Sequence, residues 1–432
     1  MSERLFHRSR RLLSILGPGL IVAGAAIGVS HLIQATRAGA EYGLALLGFV
    51  ILACVFKYPF LEFGPRYAAA TGETLLHGYK RLGQWAIGLF ALVTLSTMMV
   101  VQAAMVLTTA GLVSVVFGLS IGLTELSVGV LLVCLLVLAL GRYRGLDRTM
   151  KLMMAVLAVS TLIAVVLAFG QVDEWRVTLN PSSGWEAVWT LAGISFLLAL
   201  LGWMPIPLEV AAWHSIWTIE HSRLRQQPLN VADSILDFRI GYIGATVMAV
   251  LFLLLGTLVL YGSEVSLPTG SVPFAATLVD IYTQSLGEWA RALIATTAMV
   301  TMFSTTLAVT DAYPRALRTL MEVMDVAEQP NSSAEAAGLH RARYVTVLLL
   351  VVVGALAIIH YLGDQFTRLI DFAATVAFLS APLLAWLNIR LLTSEHTPVA
   401  HRPGPKLMTL AWAGFAFLVV FSVMFVAWRL LA

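Results

Sequence analysis

Long apolar runs separated by short polar breaks dominate this chain, and run length decides what they are. A membrane-spanning helix needs roughly 20 apolar residues. Eleven stretches meet that need, at approximately 13–41, 44–69, 84–117, 121–141, 147–170, 187–217, 239–262, 287–311, 343–362, 367–393 and 408–431. The pattern predicts an all-α polytopic membrane protein of about 11 transmembrane helices, one transmembrane domain over 1–432. The polar positions carry a second pattern. With the N-terminus placed in the cytoplasm, the inner segments hold Arg4, Arg8, Arg10 and Arg11; Lys80 and Arg81; Arg142, Arg144, Arg148 and Lys151; Arg223, Arg225 and Arg239; Arg315, Arg318, Arg341 and Arg343; and Arg390, Arg402 and Lys406. That is 20 of the 27 Lys and Arg residues, whereas the outer loops 171–186 and 263–283 hold only Arg176. Positive loops stay cytoplasmic, so one missed or extra span would reverse the alternation halfway along. The longest polar insert, about 325–341, reads as an exposed cytoplasmic loop from its Pro, Ser and Asn content.

Composition agrees with this pattern. The chain is 59% hydrophobic and 12% charged, against about 25% charged in soluble domains, and its mean hydropathy is +0.87. The formal net charge of +3 comes with no basic patch for nucleic acid, so no nucleic-acid partner is expected. The basic run Arg4 to Arg11 reads as a topology signal, because Gly17-Pro18-Gly19 interrupts the apolar run that a cleaved leader would need. Cys54 and Cys134 each lie inside an apolar run, which gives neither a disulfide framework nor a cysteine metal motif. The expected location is the cell membrane, the inner membrane of a bacterium, with lipid and a transported ion or solute as partners. The sequence says nothing of oligomeric state. No Ser-His-Asp set, Gly-rich phosphate loop or His cluster is present, so neither a cofactor nor an enzyme is expected, and no soluble domain could report for a membrane sensor.

Two of the spans cannot be single helices. In span 1, Gly24, Gly28 and Ser30 weaken the middle, and His31 follows the weak point. Arg37 and Glu41 come next, spaced to pair across one helical turn. In span 6, Pro205 and Pro207 lack the backbone donor that a helix interior requires. The break therefore falls near Met204 to Pro207, with Pro207 suited to open a second half-helix and Glu209 in its first turn. A break inside a bilayer survives only where protein buries it or a wet cavity receives it. Interrupted segments at matching places in two halves point to a transporter site between inverted repeats. Five spans in 1–170, five in 187–393 and one extra in 408–431 is the arrangement of the leucine-transporter fold.

The motifs GPGLIVAGA, RAGAEYG at the end of span 1, GLDRTMK before span 5, WHSIW in span 6 and FSTTLAVTDAYP in span 8 together resemble the Nramp family of divalent metal transporters. The resemblance covers most of the spans. It implies a secondary transporter working by alternating access, with spans 1, 2, 6 and 7 moving against the rest. In that family span 1 breaks at an Asp-Pro-Gly-Asn motif whose Asp and Asn bind metal. Aligned from Gly17-Pro18 to Gly43, those positions here are Gly28, Val29, Ser30 and His31. The family also places a metal-binding Met before a Pro-His pair in span 6. Met204-Pro205 matches that Met-Pro, but anchoring on His214-Ser215 puts Pro207 at the Met position. Relatives with changed ligands include carriers of Mg²⁺ and Al³⁺.

The candidate substrate site is thus Gly28, Ser30, His31, Met204, Pro205, Pro207 and Glu209, with His31, Glu209 and, for a soft metal, Met204 as direct ligands. A divalent cation favours oxygen or imidazole. His31 reads equally as a ligand or gate and as a hydrogen-bonded cap. Glu209 is the one carboxylate next to either break, and intramembrane charge is costly enough to suggest function over a helix-start role. Lys57, near the middle of span 2, needs a partner from elsewhere, with Glu209 or Asp311 in view. It reads as a proton carrier, an anion attractor or half of a structural salt bridge. His214 suits a proton path or a packed, hydrogen-bonded histidine. Ser304, Thr305 and Thr306 supply hydroxyls for a coupling Na⁺ or for interhelical bonds. Asp311 suits proton binding or the cap of a helix starting at Ala312. The leading expectation is a proton-coupled carrier of divalent metal of the Mg or Mn class. The alternative keeps the fold and moves a small anion or organic solute with proton or sodium coupling.

Overall fold

A computed structural model of the chain describes residues 17–140, 143–170, 184–226, 230–263, 267–324 and 333–431. Among these residues every regular element is a helix. Span 1 is α1 (Pro18–Ala26), a π turn (Ser30–Ala35) and α2 (Thr36–Tyr42); span 2 is α3 (Leu47–Thr71). A short α4 (Leu75–Leu82) leads to α5 (Gln84–Phe117), α6 (Leu123–Ala139) and α7 (Tyr143–Phe169), which are spans 3, 4 and 5. After α8 (Trp185–Val188), span 6 consists of α9 (Leu191–Trp203) and α10 (Val210–Arg225). Span 7 is α11 (Val231–Leu260), followed by α12 (Ser271–Leu286). Spans 8 to 11 are α13 (Arg291–Met324), α14 (Ser333–Leu362), α15 (Phe366–Thr393) and α16 (Pro405–Leu431).

The expected order of spans is therefore observed, and spans 1 and 6 are both interrupted. By length and composition, six stretches among the described residues are long and apolar enough to cross a membrane, and one of them, Gly338–Thr393, holds most of α14 and all of α15. Apolar side chains such as Leu92, Leu132, Val166, Val353 and Val423 face outward. Water would not tolerate a contiguous apolar exterior, whereas lipid does.

Two elements differ from expectation, and a third falls largely outside the described residues. α12 occupies part of what reads as an outer loop, because Phe274, Leu278 and Tyr282 form an apolar face too short to register as a span. Much of the insert 325–341 lies outside the described residues. α13 runs well beyond the expected end of span 8 and passes through Pro314. Asp311 therefore does not cap a helix starting at Ala312. Its carboxylate instead accepts from Arg315 at 2.5 Å and from the Tyr344 hydroxyl at 2.7 Å.

Close crossings without side chains hold the bundle together, as expected where oil offers no hydrophobic drive between helices. Span 1 meets α11 twice. A Cβ on Gly241 would fall 2.2 Å from the Gly19 carbonyl oxygen, and one on Gly39 would fall 2.0 Å from that of Leu253. Reciprocally, a Cβ on Gly256 would lie 2.3 Å from the Thr36 oxygen. Asp237 on α11 also accepts from the backbone N–H groups of Gly17 and Gly19, at 3.0 and 2.6 Å. Gly39→Val should force α2 and α11 apart at a cost of about 1–3 kcal/mol or more. Thermal unfolding in detergent would read this as a lowered midpoint; an unchanged midpoint would contradict so tight a seam.

Candidate functional site between two interrupted helices

Each break leaves carbonyls that its own helix cannot satisfy. In span 6, Pro205 has no N–H to give the Leu201 carbonyl, and α9 ends at Trp203. The fully buried ammonium of Lys57 takes over. It donates to the carbonyl oxygens of Leu201, Gly202 and Met204 at 3.2, 2.9 and 2.9 Å. The end of a helix carries partial negative charge, so a cation belongs there. This corrects the expectation that Lys57 pairs with Glu209 or Asp311: neither carboxylate is its partner, and three backbone dipoles replace one side chain.

In span 1, α1 ends at Ala26 and regular winding resumes at Ser30. Thr305 on α13 donates its hydroxyl to the Gly24 carbonyl at 2.8 Å. Gly28 packs directly on that threonine, and a Cβ there would lie 2.7 Å from Thr305 Cγ2. Ser304 is buried beside it, while Thr306 bonds the Thr109 hydroxyl on α5 at 2.7 Å and so ties two helices together.

His31 is fully buried and bridges the break to α11. Its Nε2 lies 2.9 Å from the Ala245 carbonyl, and its Nδ1 lies 2.8 Å from Ser30 Oγ, which is also 2.8 Å from the Ala26 carbonyl. A carbonyl only accepts, so Nε2 carries hydrogen. With a neutral ring, the Ser30 hydroxyl donates to Nδ1. With a doubly protonated ring, Nδ1 donates to Ser30 Oγ and the hydroxyl turns to Ala26. Both protonation states satisfy both ring nitrogens.

Between the breaks lies a small cavity. Ala25, Val29 and Ser30 line it from span 1; Trp203, Pro207, Glu209 and Trp213 from span 6; Val101 and Met105 on α5 and Val309 on α13 close the walls. Glu209 sits at the N-cap of α10 without capping it. Its buried carboxylate accepts from the Tyr313 hydroxyl at 3.1 Å, with Thr97 Oγ1 at 3.5 Å, and among the described residues no cation pairs with it. A buried carboxylate without a counter-charge is costly, and functional need is the usual reason it persists.

Of the sequence candidates, Ser30, Pro207 and Glu209 line this cavity; Gly28, His31, Met204 and Pro205 sit behind it as parts of the breaks. His214 on α10 is packed against Phe238, with ring centroids 5.8 Å apart, and neither ring nitrogen has a hydrogen-bond partner among the described residues. Among the described residues no group of three His, Cys, Asp or Glu side chains is arranged to hold a metal ion. One cluster escaped sequence reading. Asp371 on α15 accepts from Gln34 and Arg37 at 2.9 Å each, and the Arg37 guanidinium lies 4.7 Å over the Phe196 ring. It ties the second half of span 1 to α9 and α15. The expected Arg37–Glu41 contact is present but longer, at 3.4 Å.

The family model for natural resistance-associated macrophage protein-like proteins matches residues 19–428. The chain belongs to the Nramp-like family. It is therefore a multi-pass membrane transporter and not an enzyme. An uncharacterized protein of Pasteurella multocida (strain Pm70) is 36% identical over 420 residues, covering 95% of this chain and 92% of its own length. The fold is similar to a mutant of the Eremococcus coleocola manganese transporter, with a TM-score of 0.70 at 18% identity, covering 96% of this chain and 86% of that one. It is also similar to MhsT in complex with L-phenylalanine, with a TM-score of 0.62 at 13% identity, covering 95% and 97%. These likenesses place this Nramp-like chain in the leucine-transporter fold. Of the positions that the sequence resemblance sets against the motif Asp and Asn, Gly28 abuts Thr305 and His31 has its ring held by α11.

Proposed function

We propose that this Nramp-like protein is a secondary transporter that moves a divalent metal cation of the Mg or Mn class by alternating access, coupled to protons. The carrying observation is Glu209, a buried carboxylate without a counter-cation that lines the cavity between the two breaks. Family membership and structural neighbours named as manganese transporters support a metal as cargo. One carboxylate and one serine hydroxyl cannot strip a divalent ion, so the cargo keeps several of its waters, as Mg²⁺ does readily. An anion is disfavoured because both nearby positive groups are engaged, Lys57 by carbonyls and Arg37 by Asp371. The orientation that fits the charge pattern puts the N-terminus in the cytoplasm of a bacterial cell, in its inner membrane.

A second reading is an organic cation, favoured by the apolar and aromatic walls Trp203, Trp213 and Met105 around a single carboxylate. Uptake of Mg²⁺, Mn²⁺ and a primary amine into proteoliposomes separates the two. Absence of uptake of every cation by folded protein would overturn the proposal.

His31 supplies the proton step, since its ring is satisfied with or without the second proton. An inward proton gradient should stimulate uptake by the wild type. His31→Gln keeps hydrogen-bonding capacity but cannot titrate, so its uptake should persist without that stimulation. Undiminished stimulation in the variant would place the proton elsewhere.

A further inference from the structure

The Lys57 ammonium is fully buried, has no carboxylate partner among the described residues and is held by three carbonyl oxygens at the open end of a half-helix. An ammonium head and a potassium ion are similar in size and charge, and both are stabilised by converging carbonyls. The other break is sealed in the same manner by a protein donor, the Thr305 hydroxyl on the Gly24 carbonyl. The carbonyls of Gly24, Leu201, Gly202 and Met204 thus each accept from a protein donor.

We propose that Lys57 is a tethered monovalent cation: its ammonium fills a three-carbonyl site at the end of α9 that a free alkali or ammonium ion would otherwise occupy, so the transport cycle needs no Na⁺ or K⁺. Lys57 is a positioning residue. It holds the broken end of α9, and through it Trp203 and the cavity wall, without touching the cargo. Removing the side chain back to Cβ would empty the site and expose the carbonyls to small cations in solution. Replacing it with methionine would fill the same space without charge.

The test uses the full-length protein in proteoliposomes and in detergent, with choline as the inert cation and methylammonium, NH₄⁺, K⁺ or Na⁺ as probes. Wild-type uptake and thermal midpoint should be the same in choline as in K⁺ or Na⁺. Lys57→Ala in choline should lose roughly tenfold or more of its uptake rate and show a lower midpoint, as expected when buried acceptors lose their partner. Methylammonium or K⁺ should restore both in Lys57→Ala and neither in Lys57→Met. A wild-type requirement for Na⁺ or K⁺ would overturn the proposal, as would Lys57→Ala that is equally impaired, or equally unstable, in every salt. Rescue of the midpoint reads the tethered-cation site with no cargo present, so it stands or fails separately from the identity of the transported ion.

Discussion

Glu209→Gln should reduce cation uptake by on the order of 100-fold or more while leaving the protein folded. Loss of a full ligand charge should exceed the 10–100-fold typical for removing a ligand's supporting partner. Glutamine matches the shape of the carboxylate: its amide oxygen can still accept from the Tyr313 hydroxyl, and its NH2 then faces Thr97 Oγ1, which can accept from it while donating to the Val93 carbonyl. What disappears is the negative charge, the one charge that faces the cavity and lacks a partner among the described residues. The thermal midpoint should hold or rise, because a neutral amide is cheaper to bury than an uncompensated carboxylate. This split between lost transport and retained stability distinguishes a site residue from a structural one. Tyr313→Phe removes one supporting hydroxyl and should cost about tenfold in apparent affinity. Normal uptake by a folded Glu209→Gln protein would remove the basis for placing the cargo in this cavity.

Gly28→Asp puts a carboxylate where the sequence resemblance sets the Nramp motif Asp, and it should nevertheless destroy activity. The new Cβ would arrive 2.7 Å from Thr305 Cγ2 and 3.0 Å from its Oγ1. Thr305 cannot simply rotate away, since its hydroxyl satisfies the Gly24 carbonyl at the end of α1. Overpacking of a buried contact costs about 1–3 kcal/mol, and a new buried charge adds to that. The single variant should therefore express poorly and unfold at a lower temperature. Gly28→Asp combined with Thr305→Ala vacates the space, and should recover part of the stability together with Mn²⁺ binding measurable by calorimetry. A single variant as stable as the parent would show that Thr305 does not guard this position. Gly28 and Thr305 are thus one packed contact across the break.

The breaks were legible in the sequence because proline and glycine act on their own backbone, so Pro205, Pro207 and Gly28 announce themselves locally. The span order was legible because long apolar runs are separated by short polar breaks. The need of Lys57 for a partner was also legible, but its partner was not. Three carbonyls carry no residue label, and their convergence depends on how α9 ends, 144 to 147 positions further along the chain. Asp371 was missed for the same reason, lying 334 positions from Arg37. The expected cap at Asp311 rested on a new helix starting at Ala312, with Pro314 in its first turn. Inside a bundle, neighbouring groups absorb the lost donor and the helix continues. Glu209 was identified correctly as the carboxylate beside the break, yet its two hydroxyl partners come from α5 and α13, which only the fold brings to it.

The double seam between span 1 and α11 sets how this protein can open. A snapped rod would ordinarily act as a hinge, each fragment swinging freely. Here both fragments are fastened to the same intact neighbour, on either side of the fracture, at approaches too tight for even a methyl group. That neighbour works as a splint. Bending at the fracture would have to open both seams at once, so the break is stiff where an unsplinted one would be a joint.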